Sequence, residues 1–304
     1  MILITGATGL LGRSFVVQSV ARGWQITAVG LRSEAPHPGL RYLQADLTHP
    51  GEAERLVLEY NPQWVVHCAA ATNVDWCESH PDDAFRLNAS VPRDLAVAVS
   101  TCNAHLVYIS TDAVYGGDRG RYVETDECRP CNIYGWTKWE GEKAILQVLP
   151  ASLVVRTNFF GFTRTQRSNL AQWILGELEA NRRVPAFADV VFSPLFTDDL
   201  SETILDMMDF GLQGVFNVGA QDALSKYEFA LKLARAFGLD SSLIDATSAE
   251  SSALKAPRPR DTSLLSTKAE ERLGRPMKDV DSGIVRFKKA VNTYRANERA
   301  GVTR

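Results

Sequence analysis

The chain has 304 residues, enough for a large core and close to the length at which one core divides into two lobes. Its 33 Lys and Arg stand against 36 Asp and Glu, a formal net charge of −3 with no basic stripe, which argues against a surface built to track a nucleic-acid backbone. No apolar run approaches the length of a membrane span, and MILITGATG leads into a strand without a basic leader, so a soluble cytoplasmic protein is expected.

From the N-terminus, apolar runs at 2–7, 25–30, 41–46, 63–70, 105–112 and 152–158 alternate with helix-length segments at 10–22, 50–60, 81–101 and 134–149. Such alternation specifies a parallel sheet covered on both faces: an α/β fold, with a doubly wound (Rossmann) dinucleotide-binding domain over 1–160. Beyond it, helices are expected near 166–182, 198–210, 225–238 and 280–296, and a seventh strand at 214–220. Residues 196–220 would return to the Rossmann domain. The segments 161–195 and 221–304 would fold back as a smaller α/β substrate lobe over the strand carboxyl ends, where ligands bind in open α/β sheets.

Between the first strand and first helix, TGATGLLG sets Gly6, Gly9 and Gly12. Glycine lets backbone approach a pyrophosphate, and free amides at a helix start attract the anion. Thr8, Leu10 and Leu11 belong to the same expected cofactor loop, with Cys68, Ala69 and Ala70 at the end of the fourth strand. The second strand ends AVGLRSE, with Arg32 and Ser33 where an NAD-binding fold would carry an acid for the ribose 2′-hydroxyl. A guanidinium there favours the 2′-phosphate of NADPH, with NADH as the alternative, and Arg13 follows Gly12. Asp46, closing the third strand before Leu47, is placed either to meet the adenine or to cap the following turn.

The fifth strand ends in STDAVYGG, with Thr111 where a substrate carbonyl would sit, and the next helix opens on Tyr134 with Lys138 one turn later. Chance supplies roughly 0.24 such Tyr-x-x-x-Lys pairs in a chain of this composition, so order along the fold carries the argument. A lysine ammonium and a nicotinamide beside the phenol would favour phenolate and make Tyr134 a usable acid or base. Cys68, Cys77, Cys102, Cys128 and Cys131 are odd in number, as suits a reducing compartment. Cys128 and Cys131 form a C-x-x-C with no second pair to complete a zinc site, so no metal is expected; redox regulation of this loop is a minor reading.

The blocks TGATGLLG, AATNVDWCESHPDDAFRLNAS, STDAVYGG, ETDECRPCNIYGWTKWEGE, VVRTNFFG and RPRDTSLLSTKAEERLG resemble the extended short-chain dehydrogenase/reductases over nearly the whole chain, and most closely the dTDP-4-dehydrorhamnose reductase branch. The resemblance implies NADPH-dependent reduction of the 4-keto group of a nucleotide-linked deoxysugar. It gives Thr111 a hydrogen bond to the keto oxygen, Tyr134 the proton, and Lys138 the nicotinamide ribose and a lowering of the Tyr134 pKa. Thr72, Val74, Asp75, Asn88 and Arg258 match positions near the bound nucleotide sugar, although a cap or local hydrogen bond suits Asp75 and Asn88 equally well. It also implies a homodimer through the helices at 81–101 and 134–149.

Two departures bear on the sugar: Trp136 stands where the family has a small or charged residue, and HCAA replaces a more usual asparagine-containing entry to the loop after the fourth strand. A 4,6-dehydratase is disfavoured because Ala113 follows Asp112 where elimination needs a Glu. A nucleotide-sugar 4-epimerase stays open. So does a non-catalytic NADP-binding regulatory subunit resembling the β subunit of methionine adenosyltransferase.

Overall fold

The computed structural model describes residues 1–33, 35–37, 39–163, 169–250 and 254–299. Seven parallel strands form the main sheet: β1 (Ile2–Thr5), β2 (Ile26–Gly30), β3 (Arg41–Gln44), β4 (Trp64–His67), β5 (His105–Ile109), β6 (Leu153–Thr157) and β7 (Gly214–Val218). Their spatial order, β3-β2-β1-β4-β5-β6-β7, reverses direction between β1 and β4. That reversal opens a crevice at the carboxyl ends, the place where doubly wound sheets bind dinucleotides.

Side-chain alternation explains why the central strands are apolar throughout, whereas the edge strand β3 is partly exposed. Ile2, Ile4, Val66, Val107 and Val155 enter one buried cluster, while Leu3, Val65, Leu106 and Val154, the intervening residues, enter another on the opposite face. Helices α1 (Leu10–Ala21) and α2 (Glu52–Tyr60) follow the first strands; α3 (Val91–Ser100) and α4 (Ile133–Val148) flank β5. The expected helix at 81–101 is broken by a π-helical turn at Arg86–Ser90, between a short helix at Pro81–Phe85 and α3.

Downstream come α5 (Leu170–Glu179), α6 (Thr197–Asp209), α7 (Lys226–Phe237) and α8 (Val280–Arg299). The expected first residues of α5, 166–168, lie outside the described residues. α6 packs beside α1, joined by Ser14 donating to Asp198 at 2.6 Å. Over the strand ends, Val184–Phe187 pairs in parallel with Ile244–Thr247, and Val191–Phe192 pairs antiparallel with Leu224–Ser225. Phe160, Phe229 and Phe287 meet edge to face at 5.0 and 5.7 Å, so the cluster under α1 continues without a break into this annex.

Candidate active site

The glycine loop sits in the crevice between β1 and β4. Gly6 has φ +64°, and a Cβ there would lie 2.5 Å from the Ala69 backbone nitrogen; at Gly12 it would lie 2.2 Å from the Gly6 carbonyl oxygen. The first glycine thus seats the loop against the end of β4, and the third lets α1 close on the turn. Gly9 is the N-cap of α1, and no side chain caps that end. A dinucleotide pyrophosphate fits this combination of bare loop, uncapped helix start and adjacent strand end. Leu47 is buried, while Cys68, Ala69 and Ala70 are partly exposed along the crevice.

Arg32 and Ser33 are exposed at the end of β2, and Arg13 and Arg32 both act electrostatically on Tyr42, whose hydroxyl donates to the Arg32 carbonyl. Both guanidinium groups thus act on the end of β2, and Arg13 donates to the Thr8 carbonyl in the glycine loop at 3.4 Å. Asp46 takes the turn-capping role: its Oδ1 accepts from the Thr48 amide at 2.9 Å and the Thr48 hydroxyl at 2.7 Å. Those bonds hold its carboxyl below the ordinary aspartate value.

The helix that carries Tyr134 is seated tightly. Asn132 caps it by accepting from the Gly135 amide at 2.9 Å, and a Cβ at Gly135 would lie 2.2 Å from the Ala113 carbonyl oxygen. Glycine at that position lets α4 approach the turn after β5, where Thr111 accepts from the Ala113 amide at 3.1 Å. The Thr111 hydroxyl donates to Asp112 Oδ1 at 3.1 Å and lies near enough to Tyr134 to lower its pKa, so two of the three expected catalytic groups are neighbours.

Lys138 is arranged differently from the expectation. It is 2% exposed, donates to the Ile109 carbonyl at 2.7 Å and lies 3.9 Å from the Tyr108 ring centroid. Burial lowers its pKa to about 7, with Glu142 opposing. Burial likewise raises the Tyr134 pKa, with the Thr111 hydroxyl opposing, and Lys138 is not among the groups acting on it. The phenol is therefore protonated at neutral pH rather than held as phenolate. That is the form a proton donor needs.

The loop candidates pair with one another. Asn88 is fully buried: Oδ1 accepts from the Ala71 amide at 2.9 Å, and Nδ2 donates to the Ala71 carbonyl and the Thr137 hydroxyl, both at 3.1 Å. This side chain pins the loop after β4 to α4 with three of its four hydrogen-bonding positions, and its complete burial favours the local-bond alternative over a substrate contact. Asp75 accepts from Arg258 Nη2 at 2.9 Å and from the Ala256 amide at 3.0 Å, so those partners are within the chain too. Burial pushes the Asp75 carboxyl up, but the Ala256 amide and Arg258 outweigh it and the net shift is downward. Thr72 is exposed and Val74 half-buried beside them. Trp136 packs outward on Phe85, ring centroids 5.4 Å apart, and so does not shape the sugar pocket.

A cavity of about 440 Å³ lies against the annex, lined by Trp173, Ile174, Phe187, Val190, Lys226 and Arg258 among others. Lys226 links it electrostatically to Asp112, the neighbour of Thr111. Asp112 is buried and its carboxyl raised by burial, against hydrogen bonds from Thr262 at 2.7 Å and Asn158 at 2.9 Å.

Residues 1–293 match the RmlD substrate binding domain family. The chain belongs to this family. Among its relatives, the probable low-salt glycan biosynthesis reductase Agl14 of Haloferax volcanii is 32% identical over 295 residues, covering 96% of this chain and 98% of that protein. The methionine adenosyltransferase 2 subunit beta of Bos taurus is 31% identical, covering 86% of this chain and 79% of that one. The dTDP-4-dehydrorhamnose reductase of Bacillus anthracis, solved in complex with NADP, superposes with a TM-score of 0.85 at 28% identity, covering 95% of this chain and 98% of that chain.

Three groups in this RmlD-family chain escaped the reading of motifs. Glu142 lies on α4 four residues past Lys138, the same helix face, a spacing that could have revealed it. His67 is buried with Nδ1 2.7 Å from the Thr5 hydroxyl, and burial lowers its pKa to about 3. Lys226 follows the Ser225 cap of α7, and its sequence context signals only a helix start.

Proposed function

We propose that this chain is an NADPH-dependent reductase of the 4-keto group of a nucleotide-linked deoxysugar. The carrying observation is that Thr111, at the end of β5, neighbours the phenol of Tyr134, which burial keeps protonated, in a sheet whose glycine loop fits a dinucleotide. Reduced nicotinamide, when bound, supplies the hydride. The protein's share is the proton: the Thr111 hydroxyl orients the keto oxygen and the Tyr134 phenol protonates it as negative charge develops there. Lys138, one turn behind, holds the nicotinamide ribose. Arg32 and Arg13 select the 2′-phosphate, and Thr72, Val74 and Arg258 border the nucleotide sugar.

The test is loss of NADPH absorbance with a dTDP-4-keto-6-deoxy sugar generated in the cuvette, with NADH in parallel. Turnover supports the reading; tight NADPH binding with no turnover on several keto sugars overturns it. The second outcome would favour a regulatory, non-catalytic subunit, a reading supported by the likeness to the methionine adenosyltransferase subunit. The proposal includes a cytoplasmic location, supported by five unpaired cysteines. It also includes a homodimer through the helices at 81–101 and 133–148, supported by the exposed Phe85 and Trp136 on them. Light scattering that gave a monomer at micromolar concentration would remove the dimer.

A further inference from the structure

The cavity beside the annex contains a cation that no carboxylate neutralises. The Lys226 amine lies 3.1 Å from the centroid of the Phe192 ring, and among the described residues no acidic oxygen lies within ion-pair distance of it. Other lysines have oxygen partners: Lys232 pairs with Asp281, Lys143 with Glu140, and Lys138, Lys268 and Lys288 donate to backbone carbonyls. The nearest acid acting on Lys226, Asp112, has its oxygens engaged by Thr111, Asn158 and Thr262. Arg258, itself paired with Asp75, lines the same cavity, and Trp173, Ile174, Phe187 and Val190 are among the apolar residues of its walls, with Thr247 and Ser248 polar.

A ligand complementary to this chamber joins a planar apolar part to a compact anion. Resting on the reductase reading, we infer that Lys226 grips the diphosphate of the bound nucleoside diphosphate sugar while its base lies against Trp173 and Phe187. Arg258 and Asp112 both act on the Lys226 amine, and Asp112 is the neighbour of Thr111, so a diphosphate held by Lys226 leaves its sugar within reach of Thr111 and Tyr134. Burial lowers the Lys226 pKa to about 7, with Asp112 opposing and Arg258 adding to the shift. An anion beside it reverses that shift, so the diphosphate binds with uptake of a proton.

The experiment is calorimetric titration of the full chain with dTDP, UDP and thymidine at neutral pH, in buffers of different ionisation enthalpy. Lys226→Met is expected to weaken both diphosphates roughly ten- to a hundredfold and to abolish the proton uptake, as loss of a charge-assisted hydrogen bond would. Lys226→Arg should restore most of the affinity, and NADPH binding should not change. Unaltered dTDP affinity in Lys226→Met overturns the inference, as does an equal loss for thymidine, which would mean a change of cavity shape, or wild-type chain that binds neither diphosphate. Binding needs no turnover, so the two readings separate. Lysine-dependent diphosphate binding without NADPH oxidation would sink the reductase alone, and turnover with lysine-independent binding would sink this inference alone.

Discussion

Arg156 and Lys138 are both buried, 6% and 2% exposed, yet the fold treats them in opposite ways. Arg156, on β6, meets Glu142 of α4 through three nitrogen–oxygen contacts between 2.7 and 3.1 Å and donates to the Tyr115 hydroxyl at 2.8 Å. Glu142 accepts in addition from Ser110. Lys138, one turn before Glu142 on the same helix, has a backbone carbonyl and a ring; Lys226 has a ring. A buried charge with a matched partner keeps its protonation state and ties elements together. A buried lysine without one is driven towards neutrality, which leaves it free to respond to a ligand. The region around β6 is built for structure, and the region around Thr111, Tyr134 and Lys226 for chemistry.

The largest effect should separate those regions by rate. Tyr134→Phe is expected to lower kcat by roughly 10²- to 10⁴-fold while leaving the NADPH dissociation constant within about twofold. Its stability should change by no more than about 1 kcal/mol, because at most a single neutral hydrogen bond is lost with the phenol. Stopped-flow absorbance and denaturant titration check both, and an equal loss of cofactor affinity would make Tyr134 structural.

The converse holds across the paired region. Arg156→Met leaves Glu142 buried without its cation and should cost about 3–5 kcal/mol of unfolding free energy. The double variant Arg156→Met with Glu142→Leu should recover much of it. Urea midpoints that barely move in the single variant would break the contrast.

The unpaired lysines predict a pH effect that Arg156 does not. Folded Lys138 and Lys226 titrate at about 7 against 10.5 for an ordinary lysine, so between those values the unfolded chain holds protons that the folded chain has released. Stability then rises with pH through that window, and below about 7 the full penalty of two buried charges persists. Unfolding free energy should therefore climb from pH 7 to pH 9, by at most about 4–5 kcal/mol and by less where water screens the half-buried Lys226, and Lys226→Met should flatten part of that climb. A slope identical in the variant would place the Lys226 amine in solvent.

The smallest expected effect lies at the cofactor's far end. Arg32→Ala should weaken NADPH roughly tenfold relative to NADH, the scale of one charge-assisted contact at an exposed site. Fluorescence titration with both nucleotides reads the ratio, and an unchanged ratio would return Arg32 to a solvated surface charge.

The fold was legible from local pattern because the central strands are apolar on both faces, although the edge strand β3, Arg41–Gln44, is not. All seven expected strands occur in the sheet, and the glycine loop, Thr111 and Tyr134 lie at strand ends and helix starts, places a motif can mark. Where the expectation left alternatives open, the deciding partner was distant. Asn88 stood between a substrate contact and a local bond until Ala71, 17 residues away, and Thr137, 49 away, took its bonds. Lys138 also has a distant partner: a spacing of four puts it on the same face as Tyr134, but the Ile109 carbonyl of β5 draws its amine.

The amino-acid sequence by itself determined the strand and helix rhythm, the glycine loop after the first strand and the placing of Tyr134 at a helix start, because periodicity, glycine sterics and helix starts act over a few neighbouring residues. Only the tertiary structure decided which charges are neutralised. Asp75 meets Arg258 across 183 residues, and Asp112 meets Thr262 across 150. Burial and long-range pairing set the protonation of Tyr134, Lys138 and Lys226, and neither has a local signature in the chain.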